Sequence, residues 1–258
     1  MSVARFDLTD FEWSVIEPLL PTKVRGVKRR DDRQVLNGIF WRLRTGAPWA
    51  DIPARYGPCT TCVNRFNRWR RAGRWARILA AISEACEGDV QMIDSSSLRV
   101  HQQGANGPKK GGDPGCMGRS RGGLSTKIHA VVDALGRPIR LMLSLGQAYD
   151  GHAALEMLTA LPTGARLLAD RAYDSNAIRT LIAGQGARAV IPSRPQRNPM
   201  LAHDREACKA RNLVERFFNK IKHFRAVATR YDKRDDNFLA SVQLASIRIW
   251  LRSCESVT

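Results

Sequence analysis

The chain of 258 residues carries 42 Lys and Arg against 24 Asp and Glu, a formal charge of +18, with 43% apolar and 26% charged residues. That length supports a substantial core without disulfide staples, and the absence of any apolar run long enough to span a bilayer excludes a membrane-spanning helix. So basic a balance attracts polyanions whatever the fold. Because arginine dominates the excess, with a planar fork suited to phosphates and guanine edges, nucleic acid is the expected partner and no membrane is.

The first stretch reads as helical. Thr9-Asp10-Phe11-Glu12 is a capping-box pattern, and Phe11, Val15, Ile16, Leu19 and Leu20 follow on one face until Pro21. A second amphipathic stretch carries Leu36, Ile39, Phe40 and Leu43. Beyond the break at Gly46-Ala47-Pro48, Thr60 and Thr61 are N-cap candidates for a helix that turns Val63, Phe66 and Trp69 inward. Its other face is Asn64, Arg65, Asn67, Arg68, Arg70 and Arg71, the residue types that pair with base edges, so it resembles a helix-turn-helix recognition helix. A solvated basic face on a small bundle is the competing reading. Residues 22–77 hold 15 Lys and Arg against 3 Asp, so most of the net charge lies here. Trp13, Trp41, Trp49, Trp69 and Trp75 are expected to anchor the bundle's core.

From Asp89 the texture changes to short apolar runs that read as strands: Val90–Ile93, Ile128–Val132, Ile139–Leu145, Leu167–Ala169 and Ala187–Ile191. Ala153–Leu161 and Ala177–Ile182 have helical spacing between the later strands, and helices run over roughly 205–251. The order predicts a mixed α/β sheet with packed helices, and a hairpin turn at Asp133–Arg137. Residues 102–123, rich in glycine with Lys109, Lys110, Arg119 and Arg121, are expected to form a flexible basic loop. The cysteines are sparse and irregular and the first ten residues polar, from which a cytoplasmic, nucleoid-associated protein is expected. No second pair follows Cys59 and Cys62 at zinc-site spacing, so no metal is assigned to them.

A carboxylate at the end of an apolar strand is costly to bury unless paired or bound to a cation. Asp94 ends one such strand and Asp170 another, and both would emerge at one sheet edge if the strands are parallel neighbours. Glu215 is the best third acid, on a helix whose buried stripe is Leu213, Val214, Phe217, Phe218 and Ile221 and which aligns Arg211, Glu215 and Lys222. An ordinary ion pair from Arg211 to Glu215 is the alternative. His101, His129 and His152 read as edge or surface histidines, and Asp174 as a helix cap.

The blocks Met92-Ile93-Asp94-Ser95-Ser96-Ser97, Leu168-Ala169-Asp170-Arg171-Ala172-Tyr173-Asp174 and Asn212-Leu213-Val214-Glu215-Arg216-Phe217-Phe218-Asn219 resemble the acidic blocks of bacterial insertion-sequence DDE transposases, specifically the insertion-sequence-five group. Gly118–Ala130, Ala228–Lys233 and Gly46–Pro53 with Thr60-Thr61-Cys62 are similar to that family too, in the same order. The resemblance implies a helical DNA-binding domain over 1–87 and an RNase H-like catalytic domain over 88–258. It implies Asp94, Asp170 and Glu215 as catalytic ligands of two Mg²⁺ ions, for which Mn²⁺ could substitute, in strand cleavage and transfer. Double-stranded DNA, both terminal inverted repeats and target, is the implied partner of a homodimer or higher oligomer. Arg65, Arg68 and Arg71 would read the repeats, and Arg119, Arg121, Lys127, Arg211 and Lys222 would hold DNA. The family's Tyr three residues before Arg211 is Cys208 here, from which altered end binding is expected. A catalytically inactive sequence-specific DNA-binding regulator, a decayed transposase copy and a nuclease that cuts without joining are the rival readings.

Overall fold

The structure is a computed structural model that describes residues 6–21, 30–84, 88–105, 115–201 and 204–255. Two compact units emerge, Met1–Ile82 together with Ile221–Thr258, and Ser83–Lys220. The carboxy-terminal segment, expected with the sheet, thus clusters with the amino-terminal helices.

In the first unit α1 (Asp10–Ile16) begins with the full capping box, Thr9 accepting from the Glu12 amide while Glu12 accepts from that of Thr9. Helix α2 (Asp32–Thr45) starts at the Asp31 cap and ends at Gly46, whose φ of 73° is the left-handed stop that glycine adopts without penalty. Its buried face is Val35, Leu36, Ile39, Phe40 and Leu43. Helix α3 (Cys59–Arg71) starts directly after Pro58, ahead of the threonines expected to cap it. Residues 46–58, with short 3₁₀ turns at Trp49–Asp51 and Ala54–Tyr56, join α2 to α3. That connection is longer than the three- or four-residue turn of a helix-turn-helix. Helix α4 (Arg74–Glu84) buries Trp75, which packs edge-on against Trp69 at 5.1 Å and tilted against Phe66 at 6.3 Å. Trp69 and Trp75 are core anchors; Trp13, Trp41 and Trp49 are half-buried.

The second unit is built on a mixed sheet. Strand β1 (Val90–Val100) pairs antiparallel with β3 (Gly123–Asp133), placing Asp94 opposite Ala130. Short β2 (Gly118–Ser120) and then β4 (Pro138–Leu145) pair antiparallel with the other edge of β3. Strand β2 turns into β3 as a hairpin, so the segment expected to be flexible to residue 123 is ordered sheet from 118 onward. Residues 106–114 of that expectation, with Lys109 and Lys110, lie outside the described residues. The β3–β4 turn is tied by Asp133, which accepts from the Leu135 and Arg137 amides and from the Arg137 guanidinium.

Helix α5 (Asp150–Met157), strand β5 (Arg166–Leu168), helix α6 (Asn176–Gly184) and strand β6 (Arg188–Val190) follow. Strand β5 runs parallel to both β1 and β6. The core packs Ile93, Val131 and Leu167 of the sheet against Ala154 and Met157 of α5, Leu158 just after it, and Ile178 and Ile182 of α6. Helices α7 (Arg205–Ala210) and α8 (Asn212–Lys222) meet at Arg211. The start of α8 rests on the β3–β4 turn: a Cβ at Gly136, whose φ is +75°, would come within 2.9 Å of the Leu213 carbonyl oxygen.

Short α9 (Arg225–Ala228) and long α10 (Asp235–Glu255) return to the first unit. Helix α10 is apolar on nearly every side, burying Phe238, Val242, Leu244, Ile247, Trp250 and Leu251, and a helix of that kind must be covered all round. Helices α1, α2 and α3 cover it, and buried Arg248 pairs with buried Glu12 at 3.0 Å, which is why the carboxy terminus belongs to this unit. Among the described residues no helix is long and apolar enough to cross a membrane.

Candidate active site

Strands β1 and β5 are parallel neighbours, with Met92 opposite Leu168. Asp94 and Asp170 each lie two residues beyond that pair, so Asp170 leaves the sheet beside Asp94, which stands within β1 opposite Ala130 rather than at its end because β3 keeps pairing with the strand beyond it. Asp94 Oδ1 accepts from the Ser95 amide at 2.8 Å. Asp170 Oδ1 accepts from the Ala172 amide at 2.8 Å, which fixes the 3₁₀ turn Arg171–Tyr173.

The third acid arrives from α8. Phe217, Phe218, Val214 and Ile221 are buried, so the helix presents Glu215 outward at its first turn. Arg211 donates to Asp94 Oδ2 at 3.2 Å and to Glu215 Oε1 at 3.1 Å. The intrahelical pair and the longer-range pair coexist, one guanidinium spanning two carboxylates. Burial raises the Asp94 carboxyl above its ordinary pKa; the Ser95 amide and Arg211 oppose this, and the charges of Asp170 and Glu215 add to it. Each of the other two acids therefore lies within the electrostatic field of Asp94.

Tyr173 is a member of this cluster that sequence reasoning did not single out, although it stands in the same block as Asp170. Its hydroxyl is buried. Burial and the charges of Asp150, Asp94 and Asp170 push the phenol far above its usual pKa, against the influence of Ser95.

Asp174 does not cap α6; Ser175 does, accepting from the Ile178 amide. Buried Asp174 accepts instead from Arg179 Nε at 2.8 Å, Arg197 Nε at 2.7 Å and the Arg194 amide at 2.8 Å. Burial pushes its pKa up, but Arg197, the Arg194 amide and Arg179 override that and hold it at about 2. A carboxyl lowered in the fold contributes stability that is present above the unfolded value near 4 and lost as pH falls through the folded value. Asp174→Asn is therefore expected to cost about 2–3 kcal/mol at pH 7, a gap that closes as urea melts are taken down toward pH 2. A gap independent of pH would show that the charge is not what stabilises.

The expected DNA contacts divide. Arg68 and Arg71 are exposed on α3, and Arg119 and Arg121 are exposed around the β2–β3 turn. Arg65 is not: at 3% exposure it pairs with Asp32 and lies over the Trp69 ring, because Cys62, Arg65, Phe66 and Trp69 share the buried face of α3. Arg70 is half-buried and pairs with Asp236. Lys127 is likewise committed, donating to Asp150 Oδ1 and to the Ala148 carbonyl, both at 2.7 Å. His129 beside it is fully buried, hydrogen-bonded to Ser144, and burial lowers its pKa to about 4. Lys222 is exposed at the end of α8 and lines a cleft of about 490 Å³ with Arg44, His223 and Arg225.

One carboxylate within β1, a second just beyond the end of its parallel neighbour β5 and a helical glutamate tied to the first by an arginine make up the cluster. Residues 86–250 match the family described as "Transposase DDE domain", and residues 8–79 that described as "Putative transposase of IS4/5 family". The chain belongs to the DDE transposases. Its function is DNA transposition, and the inactive-regulator reading is not favoured. Over 130 residues, half of this chain and all of the relative, the transposase is 38% identical to the "Putative transposase for insertion sequence element IS6501" of Brucella ovis. It is 31% identical over 140 residues, half of this chain and 62% of the relative, to the "Putative transposase for insertion sequence element IS402" of Burkholderia cepacia. Among solved structures, piggyBac transposase in its synaptic complex with hairpin DNA aligns over 95% of this chain and 72% of its own, with a TM-score of 0.44 at 10% identity.

Membership implies nuclease or transferase chemistry and a divalent metal. As they stand, no three His, Cys, Asp or Glu residues among the described residues are grouped to hold an ion. Asp94, Asp170 and Glu215 would nevertheless make a donor set that fits a hard cation: three carboxylates and no sulfur or imidazole, with a cationic guanidinium already spanning Asp94 and Glu215.

Proposed function

We propose that this transposase cleaves DNA at the terminal inverted repeats of its element and joins the freed ends to target DNA, with Asp94, Asp170 and Glu215 as the catalytic acids. The observation that carries the reading is Arg211, which pairs with both Asp94 and Glu215 while Asp170 leaves the neighbouring parallel strand beside Asp94. The Asp94 carboxyl, raised by burial and further by the charges of Asp170 and Glu215, favours a divalent cation in their midst. These three would hold Mg²⁺, or Mn²⁺ in its place, which when bound polarises the attacking and leaving oxygens of a phosphodiester. Arg211, released from the carboxylates, is then within reach of a phosphate oxygen, a role its planar fork suits.

Exposed Arg68, Arg71, Arg119, Arg121 and Lys222 contribute backbone contacts, and α3 approaches the repeats with Arg68 and Arg71 rather than Arg65. Bringing two element ends together calls for at least a homodimer, acting on DNA in the cytoplasm. The test is a labelled terminal-repeat duplex incubated with Mg²⁺ or with EDTA. Nicks with 3′-hydroxyl ends and joined products are expected with the metal alone. Cleavage without joining would favour a nuclease, and binding without any nick in either condition would refute the catalytic assignment.

A further inference from the structure

Tyr149 is 46% exposed, one of few large apolar side chains so open among the described residues, yet it is held as firmly as a core group. Its hydroxyl donates to the Ala172 carbonyl at 3.2 Å and accepts from the Arg194 guanidinium at 2.8 Å. That guanidinium lies 5.8 Å from the ring centroid, and His152 meets the ring edge-on at 5.7 Å. The ring also rests on Gly151: a Cβ there would come within 2.3 Å of Tyr149 Cε1. Arg194 is itself tied down, donating through Nε to the Arg171 carbonyl and through its amide to Asp174.

An exposed aromatic ring immobilised from several sides has already lost the freedom that a ligand would otherwise have to freeze. Its location says which ligand. Ala172 gives its carbonyl to Tyr149 and its amide to Asp170, so one residue links the ring to the catalytic carboxylate. Arg171 beside it is exposed and cationic. A flat π-face next to cations, one residue from the phosphodiester site, suits a nucleobase whose own phosphate lies at the carboxylates. An apolar protein segment would gain little among arginines.

We propose that Tyr149 is a stacking platform for an unpaired nucleobase of the DNA strand held at Asp94 and Asp170. This rests on the reading of those acids as the cleavage site and adds a base-binding subsite to it. Stacking is tolerant of base identity, so the probe need not carry the native repeat.

The protein, with Ca²⁺ in place of Mg²⁺ so that a hard cation is present at the acids, would be titrated with a duplex carrying one unpaired 2-aminopurine beside its end, and with the same duplex fully paired. Fluorescence quenching on the unpaired probe is expected, and roughly tenfold weaker binding of it by Tyr149→Ala, with the paired duplex bound as before. Tyr149→Trp should keep the quenching. Gly151→Ala provides a second variant, because alanine suits the interior of α5 while its methyl displaces the ring; its melting temperature should hold or rise as quenching falls. Equal binding of the unpaired probe by wild type and Tyr149→Ala, or an equal loss on both probes, would overturn the platform while leaving the cleavage site standing. A wild-type chain that binds neither probe would overturn the parent reading as well.

Discussion

Asp94→Asn is expected to lower Mg²⁺-dependent cleavage of a terminal-repeat duplex about a thousandfold, the scale of several kcal/mol of transition-state stabilisation. Asparagine keeps the oxygen that accepts from the Ser95 amide but removes the charge that Arg211 and a cation require. In the metal-free protein the same change relieves repulsion from Asp170 and Glu215, and burial no longer penalises an ionised group. Melting temperature without metal should therefore stay level or rise slightly, while the stabilisation that Mg²⁺ confers on the wild type should shrink. Differential scanning calorimetry with and without Mg²⁺, run beside the cleavage assay, separates lost ligation from lost folding. Wild-type cleavage by Asp94→Asn would remove this residue from the catalytic set, and a large fall in metal-free stability would make its role structural.

The second large effect lies on α3. Arg65→Ala should destabilise the protein by about 3 kcal/mol, because it strands the Asp32 carboxylate in a place only 10% open to solvent. For a chain of this size that corresponds to a fall of roughly 10 °C in melting temperature. Arg68→Ala and Arg71→Ala should shift stability by no more than about 0.5 kcal/mol, and should each reduce the salt dependence of DNA binding by roughly one ion. Thermal melts and anisotropy titrations over a range of salt would compare all three. If Arg65→Ala melts like the wild type yet loses DNA affinity as Arg68→Ala does, its side chain faces DNA after all. Replacing Arg65 and Asp32 together by apolar residues of similar size should recover most of the lost stability, since the cost arises from the unpaired charge.

Much of the sheet unit was legible because its signals are local. Alternating apolar runs bounded by polar turns mark β1, β3, β4, β5 and β6, and their order with the intervening helices α5 and α6 limits the sheet to few topologies. Asp94 and Asp170 stand out because a carboxylate terminating an apolar strand is expensive without a reason. Less local features escaped. Strand β1 continues to Val100 through Ser95, Ser96 and Ser97, which carry no apolar signal, because β3 supplies partners as far as Arg99. The hairpin at 118–123 was hidden by glycine content that reads as a loop.

Arg65 shows the limit most clearly. Its residue type says surface, its helical position says core, and only the presence of Asp32 across the helix pair lets position prevail over type. Lys127 and Asp174 follow the same rule, since each is held by partners from elsewhere in the chain, the Asp150 carboxylate for one and the Arg179 and Arg197 guanidinium groups with the Arg194 amide for the other. Sequence by itself determined the class of the sheet, the family and the candidate acids, because periodicity and motif spacing are properties of neighbours along the chain. Which charges meet solvent and which meet each other, where α10 finds its cover, and how Arg211 comes to link two acids were decided by tertiary structure. A charge can be buried only beside its counter-charge, and those partners can come from opposite ends of the chain, as Glu12 and Arg248 do.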